Sequence, residues 1–144
     1  MKILIIYESR YGNGKILAAG LQELLRNKSQ DAEIFSVRNL KPSTLPWADI
    51  YVFSSPVRMF MLPLSMRSFL RRFKPVKEGA KYALMTTYMD PRVKALEFME
   101  KLLQSKGMIK ITDGFKVKVM DMKGPLEEGY RERLEKFTAE LIKS

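Results

Sequence analysis

The chain has 144 residues and a formal net charge of +10, with 26 lysines and arginines against 16 acids, and it has no cysteine and no histidine. The length fits one domain, residues 1–144, large enough to bury most of a sizeable core. The missing thiols and imidazoles exclude disulfides, iron–sulfur ligation, thiol catalysis and every imidazole-based mechanism.

An apolar content of 46% argues for a folded globular chain. No apolar run approaches the ~20 residues of a membrane helix. The opening "MKILIIYESR" is too short an apolar stretch for a signal peptide, so a cytoplasmic protein is expected. No catalytic or metal-ligating side-chain set stands out, and redox chemistry here must belong to a bound cofactor.

In chain order, Lys2–Tyr7 is a near-continuous aliphatic run, as a strand buried on both faces reads. From Lys15 to Asn27, Leu17, Leu21, Leu24 and Leu25 fall at helical spacing. Ala32–Val37 alternates like a short strand, and a loop with Pro42, Pro46 and Trp47 follows. Asp49–Ser54 reads as a third strand, and Leu64–Phe73 as a second helix. Lys81–Thr87 is a fourth strand, after which Pro91 opens a predicted helix that stops near Gly107. Met108–Met120 reads as a fifth strand broken at Asp113-Gly114, and a last helix is predicted from Pro125.

Five strands alternating with helices predict a doubly wound α/β fold, a parallel sheet with helices on both faces. The connection between the second and third strands reads as irregular. Ligands of such sheets sit beyond the carboxyl ends of the strands. Three loops fall there: residues 8–14, 55–62 and 87–92.

The first loop, "YESRYGNGK", is neither a Walker phosphate loop nor a dinucleotide fingerprint, because Ser9, Ile16 and Leu17 stand at positions those motifs require otherwise. It reads as a plain turn or as an anion cradle at a helix N-terminus. Residues 58–81 carry seven basic side chains against one acid, Glu78. Such a stretch fits nucleic acid, an anionic membrane surface, an acidic protein partner or a solvated helix face. Trp47 reads as packing. Tyr88 is a stacking residue or loop packing, and Asp90 a ring contact or a helix cap.

"SRYGNGK" after an aliphatic strand resembles the phosphate loop of flavodoxins and flavodoxin-like quinone reductases, Ser/Thr-x-x-Gly-Asn-Thr; Ser9, Gly12 and Asn13 match it. "SSPVRMFMLPLSMRSFLRRF" resembles that family's second flavin loop and the helix after it, with Ser55, Pro56, Val57, Arg58 and Pro63 in register. "KGMIKITDGFKVKV" is similar to its broken fifth strand. The resemblance covers essentially the whole chain, at the length of short-chain flavodoxins.

It implies a flavodoxin-like, doubly wound five-stranded parallel sheet that binds FMN and carries electrons one at a time between redox partner proteins. Ser9, Arg10, Tyr11, Gly12, Asn13 and Gly14 would hold the phosphate. Ser55, Pro56, Val57, Arg58, Met59 and Phe60, with Thr87, Tyr88 and Asp90, would bracket the ring. Gly14 stands where the family has threonine, so Gly14→Thr is expected to tighten FMN binding. Phe60 stands where relatives commonly have glycine. Arg58 is expected to raise the potential of the fully reduced couple. Acidic partners are expected to dock near Arg58–Lys81, beside the flavin, and nucleic acid is not an expected partner. The alternatives are an FMN-dependent quinone or porphyrinogen oxidoreductase and a flavin-free binding module of the same fold.

Overall fold

The computed structural model describes residues 1–57, 61–90, 94–121 and 123–143. The elements are β1 (Lys2–Tyr7), α1 (Asn13–Asn27), β2 (Asp31–Ser36), β3 (Ile50–Pro56), α2 (Leu64–Arg72), β4 (Lys81–Tyr88), α3 (Ala95–Gln104), β5 (Ile109–Lys110), β6 (Phe115–Lys118) and α4 (Tyr130–Lys143). Two short 3-10 turns, Val37–Asn39 and Pro42–Thr44, make up the connection between β2 and β3. No described helix is long and apolar enough to cross a membrane.

The sheet is parallel, in the order β2-β1-β3-β4, and both β5 and β6 lie along the far side of β4. The predicted fifth strand is therefore two pieces, with Lys81 opposite Ile109 and Met85 opposite Phe115. Gly114 lies in the break, where a Cβ would stand 2.6 Å from a methyl of Leu96.

Side chains on a strand alternate between faces, and the continuous aliphatic runs thereby feed two cores. Ile3, Ile5, Ile50, Val52, Ala83 and Met85 pack beneath α1 and α4, against Leu17, Leu21, Leu134 and Phe137. Leu4, Ile6, Tyr51, Phe53, Tyr82 and Leu84 pack beneath α2 and α3, against Met66, Phe69, Met99 and Leu103. Each fully buried side chain of this size contributes about 1.5–3 kcal/mol. A one-residue register slip would exchange the two sets.

Two predicted helix starts are corrected. Among the described residues the third helix begins at Ala95, with Lys94 at its N-cap; Pro91 lies outside the described residues. The last helix begins at Tyr130, not Pro125. Leu126 instead bridges antiparallel to Val119, and Glu127 N–H donates to the Lys118 carbonyl. Gly129 then takes a left-handed φ of 77°, which a continuing right-handed helix cannot hold.

Candidate functional site

The described parts of the three predicted ligand loops lie at the carboxyl edge of the sheet, after the adjacent strands β1, β3 and β4. Gly12, at φ 96°, is the N-cap of α1, and its N–H donates to the Ser9 hydroxyl at 3.0 Å. The helix has no side-chain cap and no acid in its first turn. Its first N–H groups and the positive end of its dipole thus remain suited to an anion. Gly12 is needed for its left-handed backbone. Gly14 is needed for closeness: a Cβ there would stand 2.6 Å from the Glu8 carbonyl oxygen. This overturns the expectation that Gly14→Thr improves the loop, because a threonine would collide with backbone before its hydroxyl reached a ligand. Asn13 lies under the loop that follows β6, where a Cβ on Gly124 would stand 2.6 Å from its Oδ1. Arg10 and Tyr11 are exposed, the guanidinium 5.4 Å from the Tyr11 ring centre.

The second and third loops are joined by the Val57 N–H, which donates to the Thr87 carbonyl at 2.9 Å. Beside this link is a cavity of about 130 Å³ lined by Val57, Tyr88 and Asp90, with Thr86 and Lys116 on the sheet side and Ala95 and Leu96 from the start of α3. Thr86 Oγ1 is buried and has no hydrogen-bond partner among the described residues. It is an orphaned polar atom on a residue of the cavity wall. Ser55 and Thr87 are only 2% and 3% exposed, and the Ser55 hydroxyl donates to the Pro56 carbonyl. Their side chains therefore serve the sheet rather than present a surface. Arg58, Met59 and Phe60 lie outside the described residues.

Sequence reasoning passed over Glu8, the charged residue that ends the first aliphatic strand. Its side chain is fully buried. It accepts from Arg38 Nη2 at 2.7 Å and Nε at 3.2 Å, and from the Ser65 hydroxyl at 2.8 Å. One carboxylate thus ties the first loop to the turn after β2 and to the start of α2. Its hydrogen bond, and then its charge, raise the pKa of Arg38. A carboxylate ending an aliphatic strand was visible as a signal; its partners 30 and 57 residues away were not. Thr86 and Lys116 were likewise legible only as strand residues.

The basic stretch is not where the sequence reading put it. α2 starts at the carboxyl edge, where Ser65 meets Glu8, and runs back antiparallel to the strands. Just past its end Phe73 packs on Tyr51, near the amino end of β3, at a centroid distance of 5.4 Å. Arg71, Arg72 and Lys74 therefore lie at the opposite edge of the sheet from the three loops. Lys77 is there too, over the Trp47 ring at 5.0 Å. Around the loops stand the exposed apolar side chains of Tyr11, Met61, Leu64 and Met89, with Arg10, Lys94 and Lys118 exposed among them.

A model of the flavodoxin domain matches residues 4–118. The chain belongs to the flavodoxin family. FMN is the cofactor of that family, and electron transfer its general role. Among solved structures, the flavodoxin of Streptococcus pneumoniae TIGR4 is similar at 24% identity, with 99% of each chain covered and a TM-score of 0.83. Oxidised Flavodoxin 1 of Bacillus cereus is similar at 21% identity, covering 99% of this chain and 98% of that one, with a TM-score of 0.82. A flavodoxin from the domain Archaea is 19% identical over the whole of both chains, with a TM-score of 0.81. No curated protein sequence matches the chain.

Proposed function

We propose that this flavodoxin-family chain is an electron carrier that shuttles electrons between redox proteins through one FMN held at the carboxyl edge of the sheet. The observation that carries this reading is the uncapped, acid-free start of α1 behind Gly12, beside a cavity between the second and third loops. We assign one to each end of FMN. The phosphate would lie against the N–H groups at the start of α1, with the Ser9 and Tyr11 hydroxyls at hand. The ring would lie toward Val57, Tyr88 and Asp90. The bound flavin supplies the redox chemistry. The protein's residues bind, orient and shield it, and no side chain is assigned as acid or base.

Exposed Tyr11, Met61, Leu64 and Met89 surround this edge and provide an apolar docking centre. Arg10, Lys94 and Lys118 stand exposed at the same edge and favour an acidic rim on the partner.

Purified protein is expected to carry, or to take up in titration, one FMN per chain, with flavin absorbance and quenched flavin fluorescence. A chain that binds no FMN under saturating conditions sinks the reading and leaves the flavin-free module. Steady turnover of NAD(P)H with a quinone, at rates above those of free FMN, would instead make it an enzyme.

A further inference from the structure

We infer that the amino edge of the sheet carries a second docking surface, remote from the cofactor, for an acidic polypeptide segment. It is formed where the last turn of α2 meets the residues following α3. Arg71, Arg72, Lys74, Lys77 and Lys106 gather there, and none of the five has an ion pair among the described residues. The neighbouring Lys110, by contrast, is held by Glu100 at 3.1 Å and Asp113 at 3.8 Å. Lys106 Nζ donates to the Arg71 carbonyl at 2.9 Å, which pins the two cationic segments together. Burial, and then the charge of Lys74, lower the pKa of Lys106. Like charges held this close are relieved by an anion. Glu78 is the single acid in the stretch, and it lies beside Gly107.

The same contacts select the kind of partner. Arg71 sits over the Phe98 ring at 6.0 Å and Lys77 over Trp47 at 5.0 Å. Each exposed ring therefore already has a cation on a face, whereas a strand of nucleic acid needs open ring faces for base stacking. An anionic membrane would call for an apolar helix face among the cations, but the apolar face of α2 is turned into the core through Met66, Phe69 and Leu70. A run of carboxylates needs neither. Such a segment, extending from a redox partner, would hold that partner near while the cofactor edge, about 13 Å away along α2, stayed free to engage and release.

The probe is a fluorescently labelled decaglutamate peptide, titrated by anisotropy at low and at moderate salt. Wild-type protein is expected to bind it, with affinity falling as salt rises. Arg71→Glu, Lys74→Glu and Lys106→Glu together should weaken binding more than tenfold. The same charge change on α4, through Arg131→Glu, Lys136→Glu and Lys143→Glu, should alter it less than threefold. Equal losses in the two variants would mean that net charge alone is being read, and would overturn the surface. So would tighter binding of a single-stranded DNA decamer, or of phosphatidylserine vesicles, than of the peptide. FMN titration and circular dichroism check that each variant is folded; where the triple variant is not, Lys74→Gln with Lys106→Gln carries the same comparison, with at least a threefold loss expected. Loss of FMN binding by the wild type would count against the proposed cofactor role and leave the peptide result standing.

Discussion

At the carboxyl edge of the sheet, Gly12 holds a left-handed turn, the buried Gly14 lets α1 pack close on the Glu8 carbonyl, and the one buried carboxylate is fully engaged by Arg38 and Ser65. At the amino edge, Arg71, Arg72, Lys74, Lys77 and Lys106 have no carboxylate partner among the described residues. The +10 net charge of this chain therefore says little about its cofactor end. Function at one edge rests on close approach of backbone, so small steric changes there should be costly. At the other edge charge is the operative quantity, and sterics should matter little.

Gly14→Thr should give the largest effect. Its Cβ would press on a carbonyl oxygen that cannot move without shifting β1, so a cost of about 3 kcal/mol is expected, with weaker FMN binding. Denaturant unfolding together with FMN titration measures both. A stable variant with tighter FMN binding would show that the start of α1 can slide, and would break the contrast between the edges.

Arg38→Ala comes next, because it leaves Glu8 buried without its ionic partner. Breaking a fully buried pair costs ~3–5 kcal/mol. The Arg38 side chain is 56% exposed, and water screens part of the interaction, so about 2 kcal/mol is expected. Glu8→Gln in the Arg38→Ala background should recover part of that loss, whereas additive losses in chemical denaturation would show that the pair does not act as a unit.

Lys116→Gln should be smaller. Lys116 is a cation on the wall of the cavity assigned to the flavin ring, and Arg58 lies outside the described residues. A positive group there favours the electron-rich, reduced flavin. Its loss should favour the oxidised form about threefold, lowering the midpoint potential by roughly 30 mV for one electron. Potentiometric titration gives the value. An unchanged potential would place the ammonium in solvent, away from the ring.

The smallest effect concerns the amino half of the sheet. Burial raises the pKa of Tyr82 and of Tyr51 above the ordinary phenol range. The folded protein thus holds both phenols neutral while the unfolded chain ionises above about pH 10. The stability they contribute is whole below that pH and falls as the pH rises toward their folded values. Tyr82→Phe should flatten the alkaline limb of a stability–pH curve, and an unaltered limb would mean that other groups set it.

How far the sequence could be read depended on whether a signal was local. The aliphatic alternation that sorts Leu4 from Ile5 is local, and with it came the parallel sheet and both cores. The turn that opens α1 was legible because Ser9, Gly12 and Asn13 lie within it. Pro125 misled because its fixed φ suits a helix start, while the pairing of Leu126 with Val119 across the chain overruled it. The basic stretch was visible as composition, but its place depended on the direction of α2. A helix following a parallel strand must return toward the amino edge, and that carries its last turn, with Arg71 and Arg72, away from the cofactor. The Glu8–Arg38 pair and the cavity wall at Thr86 and Lys116 are tertiary, and no spacing announces them.

The division of the outermost strand into β5 and β6 also bears on how the molecule keeps its own kind at a distance. A long, straight, unpaired edge is a template on which another chain can add a strand. Here that edge is two residues, a bend at Gly114, then four residues, too broken to guide a stranger into register. The opposite edge, β2, is blunted differently: Gln22 and Arg26 both donate to the Ala32 carbonyl at 3.1 Å, occupying an acceptor that an incoming strand would need. Both flanks of the sheet thus discourage edge-to-edge aggregation.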